Sequence, residues 1–235
     1  MINFSKSSLP EFVGTTVLDT IGLVIPGIDY SLREEMKLPS HISALGLFSS
    51  RTGAAGQICA IDEAIKNTNT EIVSIELPRD TKGWGGHGNY IVIGGRDVSD
   101  CRQAIKIALE LTERNAGEVY ISQAGHLEFA YSAAASYALN MAFDVPLGRA
   151  FGFMAGSPAA IGLVMADAAM KSSSITLTKY LTPTTTSHSN EVIIAFTGDA
   201  EACKTAVLRG REVGLTLLKT LGDDEPCGPS KPYLN

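Results

Sequence analysis

Charge is scarce in this chain, and what there is leans acidic. Asp, Glu, Lys and Arg make up 19% of 235 residues, with a formal net charge of -6, and no run of five or more basic residues occurs. Nucleic-acid binding rests on Lys/Arg patches, so a phosphate backbone is not an expected partner. Low charge over a large surface points to burial of part of it in an oligomer, because interface cores are depleted of charged residues. Long apolar runs are missing too. Val13 to Ile28 is cut by Asp19, three glycines and Pro26, and no run reaches the ~18 residues of a membrane span. The first residues lack the charged-then-apolar layout of a signal peptide, so the four cysteines are expected as free thiols in a reducing compartment. There is no C-x-x-C. His41, His87, His126 and His188 show no H-x-x-x-H or comparable spacing, which gives no reason to expect a metal cluster or any cofactor.

What is present is one module written twice. Glu71 to Leu77 and Asn89 to Gly94 are β-branched strands around a glycine-rich excursion, followed by a helix opening at Asp97 or Ser99. About a hundred residues on, Ser174 to Leu181, a Thr/Ser-rich loop, Glu191 to Phe196 and a helix from Asp199 repeat the order. A period this long is not that of a solenoid. Two tandem domains are expected, 1–116 with an N-terminal arm and 117–235 with a C-terminal tail. The 45% apolar content is that of a folded globular chain.

Phe12 to Ile25 predicts one or two strands, Ser31 to Lys37 a short helix stopped at Leu38-Pro39, Ile42 to Phe48 a strand and Thr52 to Asn67 a long helix. Ala54, Ile58, Ile61 and Ile65 fall on one helical face. Ala159, Leu163, Ala166 and Met170 repeat that spacing, which predicts an equivalent buried face. Asp62 and Lys66 recur as Asp167 and Lys171, an i, i+4 pair expected on the exposed side. Cys101, Ala104, Ile105, Ala108 and Leu109 predict the buried face of the next helix, matched by Cys203, Ala206, Val207, Gly210, Val213, Gly214 and Leu217, whose glycines suggest a close backbone. Glu118 to Tyr131 predicts strand, Ala133 to Phe143 a helix. Strands and helices mix within each unit, so the fold class is α+β, an antiparallel sheet covered by helices on one face.

Lys82 to Gly88 contains G-x-G-x-x-G at Gly83, Gly85 and Gly88. A dinucleotide site needs a helix directly after it, and Asn89-Tyr90-Ile91-Val92-Ile93 is a strand, which excludes that reading. The glycines either let backbone groups line a surface closely, as in a pore rim or ligand pocket, or form only a flexible hairpin loop, and this stretch alone favours neither. His87 and His188 lie in equivalent loops and are candidates for facing one axis. Glu76 and Asp80 stand near His87, so an acid/base centre is an open alternative. Gly125 to Glu128 is expected to precede a helix as a turn, with a small-ligand site at His126 and Glu128 as the second reading. Trp84, the single tryptophan, sits in the glycine loop, where an exposed aromatic marks an interface or lid.

The chain resembles the tandem-domain shell proteins of bacterial microcompartments, of the propanediol- and ethanol-utilisation type. The residues that carry this run from about Phe12 to Leu221. They include Asp62-Glu63-Ala64, Val73 to Gly83, Gly86-His87-Gly88, Gly95 to Asp100, Ala124 to Glu128, Ala135 to Leu139, Pro146 to Ala150 and Met165-Ala166-Asp167. The resemblance implies two circularly permuted, ferredoxin-like microcompartment domains and a homotrimer that imitates a hexamer. It also implies edge-to-edge packing with other shell proteins, contact with encapsulated enzymes, and a place in the shell of a cytoplasmic compartment without catalytic function. Such a shell admits small alcohols or diols and limits escape of an aldehyde. In single-domain relatives the loop between the two strands borders the central axis, which makes Asp80, Lys82, Gly83, Gly85, Gly86, His87, Gly88, Thr185, Ser187 and His188 the pore or channel-lining candidates. The arm at Met1 to Leu9 looks shorter than that of propanediol-type relatives, which use it to attach cargo. Two rival readings are a soluble trimeric sensor with ligand between domains, and an enzyme centred on Glu76, Asp80 and His87.

Glycine amides, hydroxyls and neutral imidazole exchange hydrogen bonds with a diol better than with an aldehyde. Replacing Gly86 by Trp is expected to slow substrate uptake into assembled compartments while leaving the trimer folded. Uptake assays on compartments carrying the variant check this, and unchanged flux in a folded variant counts against the loop as conduit.

Overall fold

The computed structural model describes residues 10–79, 87–121, 125–186 and 188–222. The first strands are β1 (Glu11–Thr16), β2 (Thr20–Ile25), β3 (Ala44–Ser50), β4 (Thr70–Glu76) and β5 (Asn89–Gly95), with helices α1 (Tyr30–Glu35), α2 (Ala55–Lys66) and α3 (Val98–Asn115). The second set is β6 (Glu118–Ile121), β7 (His126–Ser132), β8 (Ala150–Ser157), β9 (Ile175–Leu181) and β10 (Val192–Gly198), with α4 (Tyr137–Phe143), α5 (Ala159–Ser172) and α6 (Ala200–Lys219). The two sheets have orders β1-β2-β3-β5-β4 and β6-β7-β8-β10-β9. All pairings are antiparallel. The repeat read from the sequence is therefore a repeat of topology.

Alternation along the strands of the second sheet divides its side chains between two cores. Ala150, Met154, Val192, Ile194 and Phe196 pack with α5 and α6. Phe151, Phe153, Ala155, Ile193 and Ala195 point the other way, into a core shared with Ile58, Ile61, Ile91, Ile93 and Ile105 of the first unit. The face of the second sheet that its own helices leave bare is thus covered by the first unit. Phe143 of α4 joins this core, stacked on Phe151 at a centroid distance of 5.4 Å.

Four expectations are corrected. Glu118 to Tyr131 is not one strand but the hairpin β6–β7. His126 and Glu128 lie within β7, not in a turn before a helix. Asp62 is buried, not on an open face: its Oδ1 accepts from the Ala138 amide at the start of α4, and Lys66 reaches its other oxygen. The face at Leu163 and Met170 is half exposed, whereas α5 buries Ile161, Gly162, Met165, Ala166 and Ala169. The face at Ala54, Ile58 and Ile61 is wholly buried. The reason is tertiary: α2 is enclosed between its own sheet and the second unit, whereas among the described residues nothing covers the outer side of α5. A Cβ on Gly210 or Gly214 would meet the side chain of Met154 or Met165 first, and at Gly210 the Met165 carbonyl oxygen would follow at 3.6 Å. Trp84, the N-terminal arm and the C-terminal tail lie outside the described residues.

The crossing of α2 over the end of α3 depends on Gly56, where a Cβ would stand 2.0 Å from the Asn115 carbonyl oxygen and 2.6 Å from the Ala116 Cα. Helix propensity alone favours alanine there by ~1 kcal/mol. The backbone clash reverses the sign, so Gly56→Ala is expected to destabilise the chain by about 1–3 kcal/mol, measured as a lowered urea midpoint with unchanged slope.

Candidate functional site

The loop leading into β5 is placed by close backbone packing. Gly53 N donates to the His87 carbonyl at 3.1 Å and Gly88 N to that of Pro78 at 2.9 Å. A Cβ on Gly88 would lie 2.1 Å from the Ser50 carbonyl oxygen, so only glycine lets the strand pass here. Asn89 Nδ2 donates to Ser50 Oγ at 2.6 Å and to the Gly53 carbonyl at 3.0 Å. The His87 ring is thereby directed inward, where it is 1% exposed.

The second unit meets it with three polar side chains. In β7, His126 and Glu128 share the face that carries Ala130 into the common core. Glu191 directly precedes β10 and is on the face of Ile193 and Ala195. The periods of two strands thus aim His126, Glu128 and Glu191 at the first unit. His87 Nδ1 lies 3.2 Å from Glu191 Oε2 and Nε2 lies 3.1 Å from Glu128 Oε2. The His126 ring stands edge-on, its centroid 5.5 Å from that of His87, and Phe153 closes another side at 5.9 Å.

The outer oxygens are anchored. Ser189 Oγ donates to Glu191 Oε1 at 2.9 Å. The amides of Ala54 and Ala55 each donate to Glu128 Oε1 at 3.1 Å. The N-cap residue of α2 is Ala54, which supplies no side-chain cap, so Glu128 of the other unit caps the helix, matching the positive end of its dipole. Asp62, on α2, caps the start of α4 in return.

Burial opposes charge on His87, but Glu191 and Glu128 outweigh it and push its pKa up to about 10. Burial likewise raises both carboxyls, and the attraction of His87 outweighs it, so each is held below its ordinary value of 4.5. The arrangement is an imidazolium clamped between two carboxylates. His87, His126 and Glu191 also offer donor atoms that all lie within 4.8 Å of one another. No local spacing announced this, because the donors come from three separate strands or strand ends.

Of the pore candidates, Asp80, Lys82, Gly83, Gly85, Gly86 and Ser187 lie outside the described residues. Thr185 and His188 are exposed, and His188 has φ 61°. His87 is in the interior between the two units, whereas His188 is exposed. The carboxylate partners of His87 are Glu128 and Glu191, whereas Glu76 is exposed. The sequence reading picked out His126, Glu128 and His87 separately. It missed their union and missed Glu191, for which strand parity was the available signal. Cys59, Cys101 and Cys203 are buried, and among the described residues no helix is long and apolar enough to cross a membrane.

Comparison with known proteins agrees with this architecture. The BMC domain family matches residues 44–124 and 150–222. The microcompartment shell protein PduB of Citrobacter freundii is 50% identical over 228 residues, covering 97% of this chain and 84% of the relative. The crystal structure of EtuB from Clostridium kluyveri superposes with a TM-score of 0.86 at 45% identity, covering 94% of this chain and 97% of that one. A trimeric microcompartment shell protein PduB gives 0.86 at 44%, covering 96% and 100%.

Removing the imidazole leaves two facing buried carboxylates, so His87→Gln is expected to cost about 3–5 kcal/mol in urea unfolding, with part regained in His87→Gln/Glu191→Gln. Because the folded pKa of His87 is raised from 6.5 to about 10, its contribution is complete below pH 6.5 and lost as pH rises through 10. The carboxylates, whose folded pKa values are depressed from 4.5, contribute above pH 4.5 and lose their effect on acidification. Thermal melts across pH in a chelating buffer should peak between those limits, and the alkaline decline should be weaker in His87→Gln.

Proposed function

The chain belongs to the BMC-domain family of bacterial microcompartment shell proteins, and from that premise we propose that it is a structural tile. Three chains close into a pseudohexameric ring, and rings pack edge to edge with other shell proteins in the facets of a cytoplasmic compartment. We place the division between the two units at 116/117, between the end of α3 and the start of β6.

The observation that carries this reading is the unequal cover of two equivalent helices. Within the chain, α2 buries nine of its twelve residues, with the second sheet and α4 against it. Its repeat α5 buries five of fourteen, and Leu163, Val164 and Met170 are 51%, 47% and 45% exposed. Correspondingly α4 is docked on α2, while α1, the equivalent short helix, buries none of its residues, leaving Tyr30 and Leu32 72% and 47% exposed. One chain therefore ends in a surface like the one covered inside it and begins with a surface like the one doing the covering. Such a head-to-tail contact between copies closes a ring when the rotation permits, and a related PduB is trimeric.

The tile reading extends to traffic. The exposed Thr185 and His188, with Ser187 and the glycine loop, supply hydrogen-bonding groups suited to alcohols and diols. Central or within-subunit channels would pass these metabolites while holding back an aldehyde, in a compartment for propanediol or ethanol utilisation. Encapsulated enzymes are the partners on the lumenal side.

Electron microscopy of concentrated protein tests the tile: sheets or tubes of triangular or hexagonal units are expected. Dispersed trimers under all salt conditions would favour a soluble sensor. Leu163→Glu/Met170→Glu puts two charges on the uncovered α5 face and is expected to convert the trimer to monomer by native mass spectrometry, with circular dichroism unchanged. A persistent trimer would remove α5 from the interface.

A further inference from the structure

We propose that His87, His126 and Glu191 form a binding site for a divalent transition-metal ion, zinc being the best match, with Glu128 orienting His87. The site goes beyond the tile and does not depend on it.

Geometry is the first support. Tetrahedral zinc with bonds of about 2.0–2.1 Å sets its ligands ~3.3 Å apart. His87 Nδ1 and Glu191 Oε2 already stand 3.2 Å apart, and the three donors lie within 4.8 Å of one another. Drawing the three donors in from that span to about 3.3 Å completes the set. Two imidazoles and a carboxylate leave a fourth position open, a combination that zinc accepts. Magnesium and calcium call for about six or more oxygen ligands, which this site does not offer.

The surroundings are those of a supported metal centre. A ligating histidine usually donates its other ring N–H to a carboxylate, which fixes the tautomer. His87 Nε2 faces Glu128 Oε2 at 3.1 Å, leaving the Nδ1 lone pair for the ion. Glu128 is itself held by the Ala54 and Ala55 amides, and Glu191 by Ser189. Charge agrees as well. Two buried carboxylates bring two negative charges into a site where His87, His126, Glu128 and Glu191 are each at most 1% exposed. One divalent cation that displaces the His87 proton to solvent, with two neutral imidazoles, balances them.

The repeat sets the stoichiometry. Superposing the registers of the two sheets puts Asp19, Ile21 and Gly88 where the second unit has His126, Glu128 and Glu191. Among the described residues the donor set therefore occurs once, and the ion would pin one unit to the other.

The test uses the full chain produced in cobalt-supplemented medium, freed of loose ions by gel filtration, with cobalt counted by mass spectrometry and visible absorption recorded. Expected are about one ion per chain, the intense visible bands of tetrahedral cobalt, and a higher melting temperature than after chelation. His126→Asn should lose the ion and its bands. His41→Asn, which alters the exposed His41–Glu71 pair, should keep both. Should His126→Asn fail to fold, Glu128→Gln serves instead, with an expected 10–100-fold loss of affinity. A wild-type chain that takes up no cobalt, or bands that persist in His126→Asn, would overturn the proposal. So would unchanged affinity in Glu128→Gln.

Discussion

Two carboxylates that serve the opposite domain hold this chain together. Glu128 leaves the second sheet to cap α2 of the first unit, and Asp62 leaves α2 to cap α4 of the second. A buried acid is costly unless it is paired and hydrogen-bonded. Both conditions are met here only when the units sit in one relative position. An apolar interface can slide by fractions of a residue at little cost. One that must satisfy amides and an imidazole cannot. The shared core of Phe143, Phe151, Phe153 and the α2 isoleucines provides the area, and the polar contacts define the register.

That rigidity bears on assembly. A ring built from three two-domain chains contains two kinds of domain contact, one inside the chain and one between chains. The inner contact carries the clamp at His87, whereas the strand positions equivalent to His126 and Glu128 are Asp19 and Ile21. The two contacts can therefore share a geometry without sharing a chemistry. Fusion of the domains frees one of every two interfaces to hold buried charge, since the two halves are always present at high effective concentration. In the trimer proposed above, the outer contact would use the apolar face of α5, with Leu163 and Met170 among its residues, which suits reversible association of folded chains.

Much of this was legible beforehand. The long period and the helical faces at Ala54 and Cys101 follow from side-chain spacing, which a chain displays without its fold. Likewise, the strand after Gly88 excluded a dinucleotide loop. Other features were not legible. Leu163 and Met170 have the same spacing as Ile58 and Ile65, and periodicity reports which face is apolar without saying what covers it. Asp62 and Asp167 look alike in the sequence, yet one is buried and caps α4 and the other is 58% exposed. Glu191 passed unnoticed because its partner is 104 residues away, and no local pattern reports a contact across that distance.

The sequence by itself determined that there are two copies of one α+β unit, where their strands and helices run, and which family they resemble, because these depend on short-range periodicity and on residues read one after another. Only the tertiary structure decided which surfaces are interior, that His87 is buried between two carboxylates, and that three strand ends converge on one polar centre. Burial and charge pairing are properties of the packed pair of units, and neither copy contains them alone.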